Sequence, residues 1–186
     1  AIGFTALTAN VLGSRSVAIG RAALQVQNPA SAVNMYNVAV GHGAGEAVTT
    51  GVQNTFIGGL SGDINTTAAN NTAVGYASLG ANTTGANNVA VGSYALDANT
   101  TAAGGTAVGY ASLTANTTGT ENVGLGGWTL AANTTGNYNT AVGTNALDAN
   151  TTASNNTAVG RNALGVNTTG ADNVAIGRDA LLRNTT

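Results

Sequence analysis

Residues 71–92 read NTAVGYASLGANTTGANNVAVG, and the same pattern runs through nearly the whole chain. An apolar triplet ends in glycine at Gly75 and again at Gly92. Further copies end at Gly41, Gly58, Gly109, Gly126, Gly143, Gly160 and Gly177, each 17 residues from the last. Gly3 and Gly20 share the interval, and only the step from Gly20 to Gly41 is longer, by four residues. That stretch holds Pro29 and the irregular Asn34-Met35-Tyr36, so a looped-out insertion is placed within 21–37. Internal repetition at a fixed period is the signature of a solenoid.

With the glycine as position 0, position +3 is small throughout (Ser78, Ala95, Ser112) and +4 is mostly leucine (Leu79, Leu96, Leu113). From Asn65 through Asn184, positions +7 to +9 read Asn-Thr-Thr, and +13 is mostly Asn. The apolar residues do not recur at helical spacing, and Gly, Asn and Thr crowd every unit, so a helix is a poor reading. Short alternating runs bounded by Gly and Asn read as strands and turns. The expected fold is all-β: a parallel β-solenoid with two short strands per 17-residue coil. One strand is the Asn-Val-Ala-Val run of Asn88–Val91, and the other covers +3 to +7, as in Ser78–Asn82. Ten stacking steps at ~4.8 Å give a rod roughly 50 Å long. The chain reads as a single repeat domain over residues 1–186. It opens inside a repeat at Ala1-Ile2-Gly3 and stops inside one at Asn184-Thr185-Thr186, as a piece of something longer would.

Strand alternation puts +14 and +16 (Val89, Val91) on one side and +15 (Ala90) on the other. With the bulky pair and the +4 and +6 residues assigned to the coil interior, +3 and +15 face outward. An outward column that is nearly always Ala implies close approach of another backbone. Ala73, Ala90, Ala107, Ala141, Ala158 and Ala175 are therefore read as a seam between subunits. Thr72, Thr106, Thr140 and Thr157 occupy the +14 site in some coils, where an interior hydroxyl would need a partner.

Composition narrows the function classes. Only 6% of the 186 residues are charged, against about 25% in ordinary domains. There is no lysine and no cysteine, and the net charge is −2. No basic stripe is available to neutralise phosphates, so nucleic acid is not an expected partner. No apolar run approaches the ~20 residues of a membrane span.

Ser16-Val17-Ala18-Ile19-Gly20 and Asn37-Val38-Ala39-Val40-Gly41 resemble the head repeat of trimeric autotransporter adhesins of the YadA type. The longer unit, with Asn71-Thr72-Ala73-Val74-Gly75 followed by Ala81-Asn82-Thr83-Thr84-Gly85, is similar to repeats in phage tail fibres. The likeness covers essentially the whole chain, least well between Arg21 and Asn37. It implies a left-handed β-roll assembled as a homotrimer on a cell surface or virion appendage. It also implies binding to host-surface glycan or protein, and no catalysis. The adhesin head repeats at a shorter interval, and its neck, stalk and anchor have no counterpart here.

Candidate sites are few. His42, the one histidine, sits near Glu46 at the variable +1 position, where Tyr76, Ser93, Tyr110, Thr144 and Arg161 also occur, and reads as an exposed turn residue. Glu46, Asp63, Asp97 and Asp148 all fall at +5 and form a sparse acidic column read as a solvated face. No paired carboxylates, Cys/His cluster or nucleophile–base pair points to an enzyme, a metal or a cofactor. Tyr76, Tyr94, Tyr110 and Trp128 fall at +1 and +2 and are the candidate ligand-binding residues, able to stack on sugar rings. The Asn-Thr-Thr tripeptides match a glycosylation sequon, but Asn columns that bond to the backbone fit their regularity better. The expected function is a non-catalytic, adhesive fibre segment whose main partner is itself. An ice-binding solenoid using Thr and Asn ladders is the alternative. An acyltransferase helix would need a six-residue sub-period, which 17 does not contain.

Overall fold

The structure, a computed structural model, describes residues 1–185. It is a β-solenoid without helix among those residues. Ten three-residue strands stack into one parallel sheet: β2 (Val17–Ile19), β4 (Val38–Val40), β5 (Thr55–Ile57), β6 (Thr72–Val74), β7 (Val89–Val91), β8 (Thr106–Val108), β9 (Val123–Leu125), β10 (Thr140–Val142), β11 (Thr157–Val159) and β12 (Val174–Ile176). Two shorter strands, β1 (Gly13–Ser14) and β3 (Val33–Asn34), pair separately. Register follows the repeat: Ala73 lies opposite Ala90, and Ala90 opposite Ala107. Across the long step Val17 pairs with Val38, and Met35, within the longer stretch, is fully buried.

The expected second strand is absent. Positions +2 and +4 adopt left-handed backbone, as at Ala77 (φ 51°), Leu79 (φ 56°), Tyr94 (φ 60°) and Leu96 (φ 51°). The segment is a run of tight turns, closed by bonds such as Asn82 N–H to Leu79 O at 3.3 Å. It still bonds to the next coil, for example Leu79 N–H to Ala95 O at 2.9 Å. Stacking therefore supplies hydrogen bonds to residues whose dihedrals are not those of a strand. The chain bends around in this way, and each coil from Gly41 onward carries one strand.

The assignment of faces is corrected as well. Ala73, Ala90, Ala107, Ala141 and Ala158 are 0% exposed and Ala175 is 3% exposed, all within a single chain. They lie in the core beside the leucines at +4, so they cannot form a seam between subunits. The small residues at +3 (Ser78, Ala95, Ser112, Ala146) are buried too. The +14 and +16 side chains point out, with Val89 at 36%, Val108 at 38% and Ile176 at 72% exposure. The physical reason is the narrowness of the coil: once Leu fills the lumen from +4, the opposite wall has room only for Ala. The +14 threonines accordingly meet solvent and need no buried partner.

Close stacking also fixes the glycine at position 0. A Cβ added to Gly92 (φ +132°) would lie 2.5 Å from the carbonyl oxygen of Gly109 in the next coil. That is below any tolerable contact, in a backbone region that L side chains rarely adopt.

Candidate functional site

Two surfaces stand out. The first is the outer face of the sheet. Its +16 column is entirely aliphatic, running Ile19, Val40, Ile57, Val74, Val91, Val108, Leu125, Val142, Val159 and Ile176. Its +14 column alternates irregularly between Val and Thr, and neither column contains a charge. Nine steps of ~4.8 Å and three residues of ~3.3 Å make a strip of about 430 Å². Apolar patches of this size on monomers are often functional.

The second is the edge formed by +1 and +2. Here Tyr76, Tyr94, Tyr110 and Trp128 come from four successive coils, and the structure brings all four together. Their ring centroids are 5.5, 6.0 and 5.2 Å apart along the series, each pair edge-to-face. All four rings are roughly half exposed, at 48, 37, 51 and 47%. Edge-to-face packing is the favoured aromatic geometry, so the rings cover part of one another and brace the edge. Trp128, at the end of the ladder, has a further role. It forms a wall of an open cleft of about 520 Å³, whose other lining residues are Thr114, Ala131, Ala132, Asn145 and Asp148.

The cleft results from a gap in the +5 column. Thr114, Ala131 and Asp148 are successive +5 residues, and the small Ala131 leaves a dip between two longer neighbours. Burial pushes the Asp148 carboxyl above its ordinary range, and backbone N–H groups of Asp148 and Ala149 pull it partly back. Burial raises Asp97 too. At Asp63 burial is again the main cause, and the charges of Glu46 and Asp97 add to it. The cleft is not legible as a site in the sequence, because Trp128 and Asp148 lie in different repeats. The available signal is the repeat frame, which places +2 of one coil beside +5 of the next.

Elsewhere the polar columns are structural. His42 is exposed, and its Nε2 lies 2.9 Å from Nη1 of Arg21. Among the described residues no three His, Cys, Asp or Glu side chains group together in a way that could hold a metal. The +7 asparagines run through the interior as a one-way ladder. Asn82 Nδ2 donates to Asn65 Oδ1 at 2.8 Å, and Asn99 Nδ2 to Asn82 Oδ1 at 2.9 Å. The +13 asparagines form a second ladder, in which Asn54 Oδ1 accepts from the Asn71 N–H at 3.0 Å. Among the Asn-Thr-Thr threonines, the +8 hydroxyl donates to the next coil, as Thr83 Oγ1 does to Thr100 O at 3.1 Å. The +9 threonines, such as Thr84 and Thr101, are exposed.

No family model, curated protein or solved structure matches this chain.

Proposed function

We propose that the chain is a non-catalytic, self-associating segment of a surface fibre, built as a left-handed roll and assembled as a homotrimer. It serves as a rigid spacer and a multivalent attachment surface on a cell or virion appendage. The observation that carries this reading is the uncharged Val/Ile/Thr strip on the outer face of the ten-stranded sheet. Parallel sheets occur almost only with both faces covered, and here the inner face packs on the coil while the outer face is bare. A second and third copy of the same strip would cover it in register, because every copy repeats at one spacing. The adhesin-type and fibre-type repeats that the sequence resembles fit the same arrangement. Repetition along the rod would turn weak contacts into avidity.

The seam thus moves from the alanines to the valines beside them, and the two locations give opposite results on mutation. Val91→Lys with Val108→Lys should leave the fold intact and shift the sedimenting species to the monomer. Ala90→Lys with Ala107→Lys should abolish folding, because each charge enters the core. A wild-type chain that sediments as a monomer, or a valine double variant that keeps the wild-type mass, would overturn the proposal.

The ice-binding alternative draws on the same strip, since threonine holds five of its ten +14 sites, at Thr55, Thr72, Thr106, Thr140 and Thr157. Thermal hysteresis of the wild-type segment, lost in the valine-to-lysine variant, would favour it over a buried seam.

A further inference from the structure

We infer that the cleft beside Trp128 is a binding site for a neutral hexopyranose unit of a glycan chain. This goes beyond self-association and uses a different edge of the rod. A pyranose has one apolar face of C–H groups and a rim of hydroxyls that both donate and accept hydrogen bonds. The cleft has the matching parts. The indole of Trp128 is half exposed and borders the open space. Ala131 and Ala132 line it with methyl groups. Thr114, Asn145 and Asp148 line it with a hydroxyl, an amide and a carboxylate.

These polar groups remain available to a ligand. The Asn162 amide, at the equivalent +2 position one coil on, donates to Asp179 at 2.8 Å, whereas Asn145 has no such acidic neighbour at the same place. Asp148 forms no ion pair; among the described residues the ion pair present is Arg178–Asp179. A half-buried carboxylate accepts from hydroxyls more strongly than a neutral oxygen does. The same negative charge disfavours sulphated or sialylated sugars. Tyr110 packs edge-to-face against Trp128, with ring centroids 5.2 Å apart, and braces the indole. Tyr76 and Tyr94 brace the ladder further along and do not line the cleft.

Trp128 is the sole tryptophan, so its fluorescence reports on this site alone. The experiment titrates the purified assembly with neutral gluco-, manno- and galacto-oligosaccharides, with sulphated counterparts alongside, reading tryptophan emission and calorimetric heat. At least one neutral series should give a saturable emission change. Ala131→Leu, which fills the dip, should abolish it. Asp148→Asn should weaken binding about tenfold. Tyr138→Ala, at position +12, should leave it unchanged. Circular dichroism and sedimentation of each variant separate loss of binding from loss of fold. The inference is overturned by any of three results. One is no saturable response to any neutral saccharide at concentrations on the order of 10 mM. Another is a preference for the sulphated series. The third is binding that persists in both Ala131→Leu and Asp148→Asn.

Discussion

Phe56 is the one large residue in the +15 column, and it is fully buried where the other nine stacked strands carry Ala or Gly. Room for it comes from +4. Its own coil and the next carry Gly45 and Gly62 in place of Leu, and a Cβ on Gly62 would lie 2.3 Å from the Phe56 ring. One phenyl ring has replaced two leucine side chains in the same lumen, so volume is exchanged between neighbouring coils. Gly62→Leu alone should therefore overpack the core and destabilise by about 3 kcal/mol or more. Phe56→Ala alone should cost about 3–5 kcal/mol through the cavity it leaves. The double variant restores the composition of the ordinary coils on one side and should be more stable than the sum of the two single effects. Chemical denaturation of the three variants checks this; strictly additive effects would show that the residues do not share one space. The exchange is visible in the sequence as two leucine positions missing beside the one phenylalanine. It cannot be read while +15 is assigned to the outer wall, because alternation says that two sets of side chains face apart and not which set is inside.

At the scale of the element, the parallel strand and its register are legible in the sequence, and the turn segment is not. Leu79 and Leu96 look like strand residues, yet they sit at positive φ. A signal is nonetheless present. In a chain rich in Val and Thr, +4 is never β-branched, and neither is +12, where Asn70, Asn87, Glu121 and Tyr138 also have positive φ. β-Branched residues are genuine outliers there. The asparagine ladders are expected from their spacing, but their direction is seen only in the fold. Asn99 Nδ2 donates both to Asn82 Oδ1 and to Ala102 O, and Asn99 Oδ1 accepts from Asn116. Asn99→Ala leaves these buried groups unpaired and should cost about 2 kcal/mol. Asn99→Asp is worse at neutral pH, because a carboxylate would face two acceptors. A penalty of about 3–5 kcal/mol is expected. The folded pKa of the introduced carboxyl must lie above the ordinary ~3.9, so the penalty should shrink as pH falls through that raised value and the acid regains a donor. Melting curves at neutral and acid pH test this, and an Asn99→Asp variant as stable as wild type at neutral pH would refute the ladder's role.

Over the whole molecule, charge is so sparse that a few carboxylates set the pH response. Asp63, Asp97 and Asp148 all lie on the +5 edge, and burial raises each above its ordinary value. Asp63 and Asp97 converge over Gly80, where an added Cβ would lie 2.8 Å from the Asp97 carboxylate and 3.7 Å from that of Asp63. Raised folded values mean that the native chain holds more protons than the unfolded one between the ordinary carboxylate range and the raised values. Stability then increases as pH falls through that window. Asp179 works the other way: hydrogen bonds from Arg178 and Asn162 hold its carboxyl low, and its contribution disappears only below the ordinary range. The melting temperature should therefore rise on acidification from about pH 7 to about pH 4 and fall below that. The profile is the reverse of ordinary acid denaturation, in which paired carboxylates lose their partners. Replacing Asp63, Asp97 and Asp148 together with Asn should flatten the acid-side rise and lift stability at neutral pH. A wild-type melting temperature that falls steadily from pH 7 downward would show that ion pairs, and not the desolvated +5 column, govern the electrostatics of the rod.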